Sequence, residues 1–164
     1  MTPQATSALP LTLAGHLALI EDEYRAALQA PLSARKTLLV AVLLDNFADR
    51  VFEAHRFSAP AKVFAAEDPP AFRAVVAERM PALGLIFDLG AMRPDGPRLV
   101  TRAVEVPIAD YHKLRVEDFM VSLYNGNTVQ RVLIAAPGAP DRLALELLGE
   151  AIAWWQGFGI DDRA

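Results

Sequence analysis

The chain has 164 residues, 53% of them hydrophobic and 22% charged, with a net charge of −4. Its length is that of one domain with a core of its own, and its composition excludes intrinsic disorder. The sixteen basic residues are scattered, with Lys113 and Arg115 the densest pair, so no face offers the row of cations that nucleic acid requires.

Cysteine is absent, which removes disulfides, thiolate catalysis and thiol-ligated metals. The stretch Met1 to Leu13 lacks the basic start and small-residue cleavage site of a secretion signal. The densest apolar run, Leu38 to Leu44, is far shorter than the roughly 20 residues of a membrane span. A soluble, cytoplasmic protein is expected, with no membrane partner. Thirteen arginines against three lysines, with abundant alanine, suggest a GC-rich bacterial coding sequence. The mean hydropathy of +0.23 is high for such a protein, and a protein partner is one way to hide the surplus.

Residues 1–10 read as a loose tail. Leu13, Leu17, Ile20, Tyr24 and Leu28 recur at helical spacing, giving a helix over about Thr12–Gln29 that Pro31 ends. Ser33 is a good N-cap for a second helix reaching about Arg56. Its Leu38 to Leu44 half is apolar all round and should be buried on every side. Phe47, Val51 and Ala54 then continue a core stripe. The short link around Pro31 makes the two helices an antiparallel hairpin.

A connector follows over 57–67, with an extended piece at Lys62–Phe64. Asp68 before Pro69 and Pro70 starts a third helix, and Pro81 should kink or split it. Arg93-Pro94-Asp95-Gly96-Pro97 is a turn, and the alternating, β-branched stretch Leu99–Val106 is a strand. Arg115 to Tyr124 reads two ways. As a strand it forms a hairpin through Asn125-Gly126-Asn127 into the strand Thr128–Ala135; as a helix it places Glu117 and Asp118 in its first turn. The Asn-Gly signal favours the hairpin. A last helix runs from Asp141 to about Gln156. Segregated helices and strands of this kind indicate an α+β fold: a helical hairpin and further helices packed with an antiparallel sheet of two or three strands, in a single domain over 1–164.

No phosphate-binding loop, nucleophile elbow or HExxH motif is present, and three histidines cannot build a dense metal site. Two groups of residues could carry chemistry. Asp45, Asp49 and Glu53 lie at i, i+4, i+8 on the second helix. In an antiparallel hairpin closing at residues 30–32, facing positions sum to roughly 62, which puts His16 near Asp45, Asn46 and Asp49. Two carboxylates and an imidazole could hold a divalent ion; a solvated helix face explains the same spacing. The loop Asp110-Tyr111-His112-Lys113 follows a strand end, where Tyr111 and His112 could bind a ligand or act as acid and base. The bland alternative is a surface loop with the tyrosine ring resting on the core. Trp154 and Trp155 point about 100° apart on one helix, so if the core takes Trp155, Trp154 is left as a contact for a ligand or partner.

The best-supported expectation is a non-enzymatic binding or assembly protein acting as a homo-oligomer, most simply a dimer. Trp154→Ala or a charge at Leu89 should then weaken assembly. The alternative is a small-ligand sensor or enzyme with a pocket, with a divalent metal at His16, Asp45 and Asp49. A third reading, a regulator that acts only through another protein, shares the features of the first.

Overall fold

The computed structural model describes residues 12–160. The tail expected over 1–10 lies outside them. Helix α1 spans Leu13–Leu28 and α2 spans Ala34–His55. Each starts on a side-chain cap: Thr12 accepts from the Gly15 amide at 3.0 Å and Ser33 from the Lys36 amide at 3.3 Å. They pair as the expected hairpin. Helices α3 (Pro69–Arg79) and α4 (Pro81–Gly90) are the two pieces that Pro81 divides, and Asp68 caps α3 by accepting from the Ala71 amide at 2.8 Å.

The sheet has strands β1 (Arg98–Glu105), β2 (Thr128–Ala135) and β3 (Arg142–Leu143), antiparallel and in that order. Helix α5 (Val116–Tyr124) connects β1 to β2, and α6 (Ala144–Gly157) follows β3. This is an α+β architecture with a small three-stranded sheet. Buried apolar residues of α1, α2, α3, α4, α6 and β2 form one continuous cluster around Phe47, Phe52, Phe72 and Trp155. No helix among the described residues is long and apolar enough to cross a membrane.

Four expectations need correction. Arg115 to Tyr124 is not a hairpin strand. It forms α5, with Glu117 and Asp118 at the positive end of the helix dipole and Asn125 as its C-cap. Gly126 and Asn127 are both left-handed, at φ 64° and 66°, but their turn leads from α5 into β2. The partner of β2 is β1, in a register running from Arg98 opposite Ala135 to Glu105 opposite Thr128. The extended piece at Lys62–Phe64 is instead a 3₁₀ turn over Pro60–Val63, closed by left-handed Phe64 and Ala65. Its Ala65 amide donates to the Pro60 carbonyl at 2.8 Å. The last helix starts at Ala144 because Arg142 and Leu143 pair with Ile134 and Leu133 as β3. Finally, Leu38 to Leu44 is not enclosed. Val40, Ala41 and Leu44 are buried, Leu38, Val42 and Leu43 are half-buried, and Leu39 is exposed. The elements packed on α2 cover only part of its circumference, so an all-round apolar segment leaves apolar surface outside.

Candidate functional site

The acidic row on α2 is built, but not as a metal centre. Residues four apart share a helix face, and that face of Asp45 and Asp49 turns toward α3. Arg73 of α3 reaches both carboxylates. Its Nε and one Nη donate to the two oxygens of Asp49 at 2.8 Å each, its other Nη donates to Asp45, and the Asp45 carbonyl accepts at 3.1 Å. The guanidinium lies over the Phe87 ring of α4, 5.2 Å from its centroid. Gly90 makes room: a Cβ there would lie 2.8 Å from the Asp45 Cβ. Burial pushes the Asp45 carboxyl up, against the pull of Arg73, while its two carboxylate partners hold Arg73 firmly charged. The cation between these carboxylates is therefore a side chain, and the cluster ties α2, α3 and α4 together.

His16 is separate from it. The hairpin register is close to the expected one, but α2 presents Phe47 and Arg50 to α1, and these lie on another side of the helix from Asp45 and Asp49. The imidazole sits edge-on to Phe47, with centroids 5.2 Å apart, and its Nδ1 is 3.0 Å from an Nη of Arg50. A guanidinium only donates, so Nδ1 accepts and the proton resides on Nε2. Burial first, and the Arg50 charge second, push the pKa of His16 down. Among the described residues no group of three or more His, Asp or Glu side chains is placed to hold a metal ion. Glu53 pairs with Arg56 at 3.1 Å on the surface, and exposed Asn46 donates back to the Val42 carbonyl at 2.8 Å.

In the second candidate loop the four residues divide. Tyr111 turns inward: its hydroxyl bonds the Asn127 side chain, its ring meets Phe119 edge-on, and buried Ser122 lies 3.4 Å from the hydroxyl. Nδ1 of His112 is 2.9 Å from the Ala109 carbonyl. Neither ring reaches the other's chemistry. Asp110 and Lys113, an ion pair at 2.7 Å, instead line a cleft of about 350 Å³. Its walls are the end of α1, the ends of β1 and β2, and the start of α6, with Val104, Val129, Leu143 and Leu145 supplying apolar surface. Arg131 and Asp118, paired at 3.2 Å, border it, as do Glu105 and Glu146. The hydrogen bond and charge of Lys113 pull the Asp110 carboxyl down, and Asp110 in turn raises Lys113.

Trp154 is half-buried, packed on Trp155 and Phe158 with centroids 4.8 and 5.1 Å away. The core accepts both tryptophans. Leu89, expected on an assembly surface, is buried at 3% exposure, so a charge there would break the core rather than report on a partner.

Sequence reasoning missed the outer face of α5. Val116 is 77% exposed, Met120 48%, Val121 44% and Phe119 37%, beside Ile108 at 75% on the preceding turn. The face turned inward carries Asp118, which bonds Arg131 of β2, and fully buried Ser122. Among the described side chains of α5, Asp118 and Ser122 thus face inward while Val116, Phe119, Met120 and Val121 face out, together with Glu117. The signal was in the sequence, where Val116, Phe119 and Met120 stand at helical spacing, but it becomes visible only once the segment is read as a helix.

Among the described residues, the fold and these sites define a mainly helical α+β protein with a charge-paired cleft and an exposed apolar helix face. Comparison with known proteins adds nothing to that class: no family model matches the chain, and no characterised protein or solved structure resembles it significantly.

Proposed function

We propose that this chain is a non-enzymatic binding and assembly module that forms a homodimer through the outer face of α5. The observation that carries the reading is the exposure of Val116, Phe119, Met120 and Val121 on that helix. Monomeric proteins rarely expose contiguous apolar patches larger than a few hundred Å², and the largest such patch on a monomer is often functional. A specific dimer through this face has to bury on the order of 1,000 Å² in total, counting both copies. A two-fold contact also suits a helix that presents the same apolar side chains to its copy. The absence of cysteine fits a cytoplasmic setting for this assembly.

The test is light scattering on the eluting protein from about 1 to 100 µM. The expected result is a dimer at the upper concentrations that Val116→Glu with Met120→Glu converts to a monomer of unchanged circular dichroism. A monomer throughout for the unaltered chain overturns the homodimer.

The cleft favours a second reading, a small-ligand sensor or enzyme, because it combines an apolar floor with convergent charges. Native mass spectrometry tests it: a retained mass released on denaturation supports the reading, and a bare chain counts against it. A metal at His16, Asp45 and Asp49 would require Arg73 to vacate the carboxylates.

A further inference from the structure

A groove of about 390 Å³ runs between the start of α2 and the segment from α4 to β1. Three arginines line it, Arg35, Arg93 and Arg98, and no carboxylate does, in a chain of net charge −4. Its floor is apolar: Leu38 from α2, Leu89 from α4 and Leu99 from β1. Arg93 is paired with Asp88 at 2.8 Å. The guanidinium groups of Arg35 and Arg98 have no hydrogen bond or ion pair among the described residues. The cleft beside Lys113 is different, since Glu105, Asp110, Asp118 and Glu146 balance its cations and would repel an anion.

We propose that this groove binds a small amphipathic anion: a carboxylate or phosphate head on a short unbranched hydrocarbon chain. The head sits between Arg35 and Arg98, whose planar forks match two oxygens of either group. The first turn of α2 adds its partial positive charge at the same end. The chain lies along Leu38, Leu89 and Leu99, where burial of methylenes supplies the remaining affinity. A volume of this size accommodates a chain of roughly eight carbons with its head, within the ~300–1,000 Å³ range of ligand pockets. Neither part suffices alone. A free oxyanion leaves the leucines wet, and a neutral alkane makes no use of the two guanidiniums.

Calorimetric titration of the full chain with octanoate and octyl phosphate tests this, with 1-octanol and acetate as the half-ligands. One saturable site per chain is expected. Octanol and acetate should each bind at least tenfold more weakly than octanoate, and Arg35→Gln with Arg98→Gln should weaken octanoate at least tenfold. Both arginines are exposed, so the variant keeps its fold, and Arg102→Gln removes a charge elsewhere with no effect on binding. Amide shifts on titration should centre on residues 34–38, 98 and 99. Octanoate bound more tightly than octyl phosphate points to a carboxylate ligand and the reverse to a phosphate; either supports the site. No saturable binding by either anion, equal binding of octanol, or a double variant within twofold of the unaltered chain overturns it. Binding should persist in the Val116→Glu, Met120→Glu variant, which separates this site from the α5 face.

Discussion

Arg73→Met removes the cation at the junction of α2, α3 and α4 while keeping a side chain long enough to lie against Phe87. Four hydrogen bonds are lost, two to Asp49 and two to Asp45. Removing one partner of a buried ion pair costs about 3–5 kcal/mol, because the other charge stays behind unpaired. That range must be discounted here. The Asp49 side chain is 44% exposed and can rehydrate, whereas Asp45 at 15% cannot. The expected loss is about 2–3 kcal/mol after discounting for screening. In a chain of this length that lowers Tm by roughly 5–10 °C. The pH dependence is diagnostic. Burial raises the Asp45 carboxyl in the folded state, and Arg73 opposes the rise. Without Arg73 the rise grows, so the folded state favours protonated Asp45. A carboxyl raised on folding contributes stability below its unfolded value near 4, and that contribution is lost as pH rises through the folded pKa. The deficit of the variant should therefore be largest at pH 7 and shrink toward pH 4.5. Urea denaturation at both pH values measures it, and Asp45→Asn in the variant should recover most of the loss at pH 7. A deficit below about 0.5 kcal/mol, within the range of surface substitutions, or one that is flat with pH, would refute the buried-charge account.

His16 is held neutral, its pKa lowered by burial and by Arg50, so its contribution to stability is present above about 6.5 and falls away as the pH drops below that value. Replacing it by Gln should flatten the part of the pH–stability curve between about 7.5 and 5.5, as read by thermal unfolding in matched buffers. A Cβ at Gly149 would lie 2.6 Å from the Tyr24 hydroxyl, which donates to the Leu145 carbonyl at 3.0 Å. Gly149→Ala should then cost about 1–2 kcal/mol in the unaltered chain and measurably less beside Tyr24→Phe, a non-additivity that a double-mutant cycle resolves. Tyr111→Phe deletes the bond to Asn127 that anchors the segment over 108–113 to the start of β2. Amide exchange in that segment should accelerate by about five- to tenfold, the equivalent of a 1 kcal/mol hydrogen bond, with the exchange of α2 unchanged.

The first four helices were legible because their signals are local. The caps Ser33 and Asp68, the break at Pro81 and the 3.6-residue stripes need only neighbouring residues to be read. The pairing of β1 with β2 was not, because the connection between them contains a whole helix and a local Asn-Gly signal competed with it. At the acidic row, spacing correctly placed Asp45 and Asp49 on one face of α2. It could not say which neighbour that face meets, since α2 borders both α1 and α3. A rotation of about 100° per residue separates Asp45 from Asn46, and again from Phe47. The hairpin register therefore found the right turn of α2 opposite His16 and the wrong side of it. Arg73, 24 residues beyond Asp49, carried no mark in the sequence that distinguished it from other surface arginines.

The same property that made Arg115 to Tyr124 ambiguous explains its surface. Val116, Phe119, Met120, Leu123 and Tyr124 recur at helical spacing, but the run is rich in strand-forming residues and ends on an Asn-Gly pair, so the local signals conflict. Once the segment is helical, β2 selects the face it needs, and Arg131 requires a carboxylate. Asp118 meets that requirement, and the turn that brings it inward also buries Ser122, which lies close to the Tyr111 hydroxyl. Val116, Phe119, Met120 and Val121 are then left on the outside. Exposed Leu39 on α2 has a related origin, as does part of the high mean hydropathy: more apolar side chains stand on these helices than one core can enclose. A glutamate at Met120 should therefore leave the monomer's stability within about 0.5 kcal/mol, as surface substitutions do. At Leu83, fully buried on α4, the same change should unfold the chain, since it strands a charge in the core. Chemical denaturation at low micromolar concentration compares the two. A large loss at Met120 would mean that α5 already buries this face within its own chain.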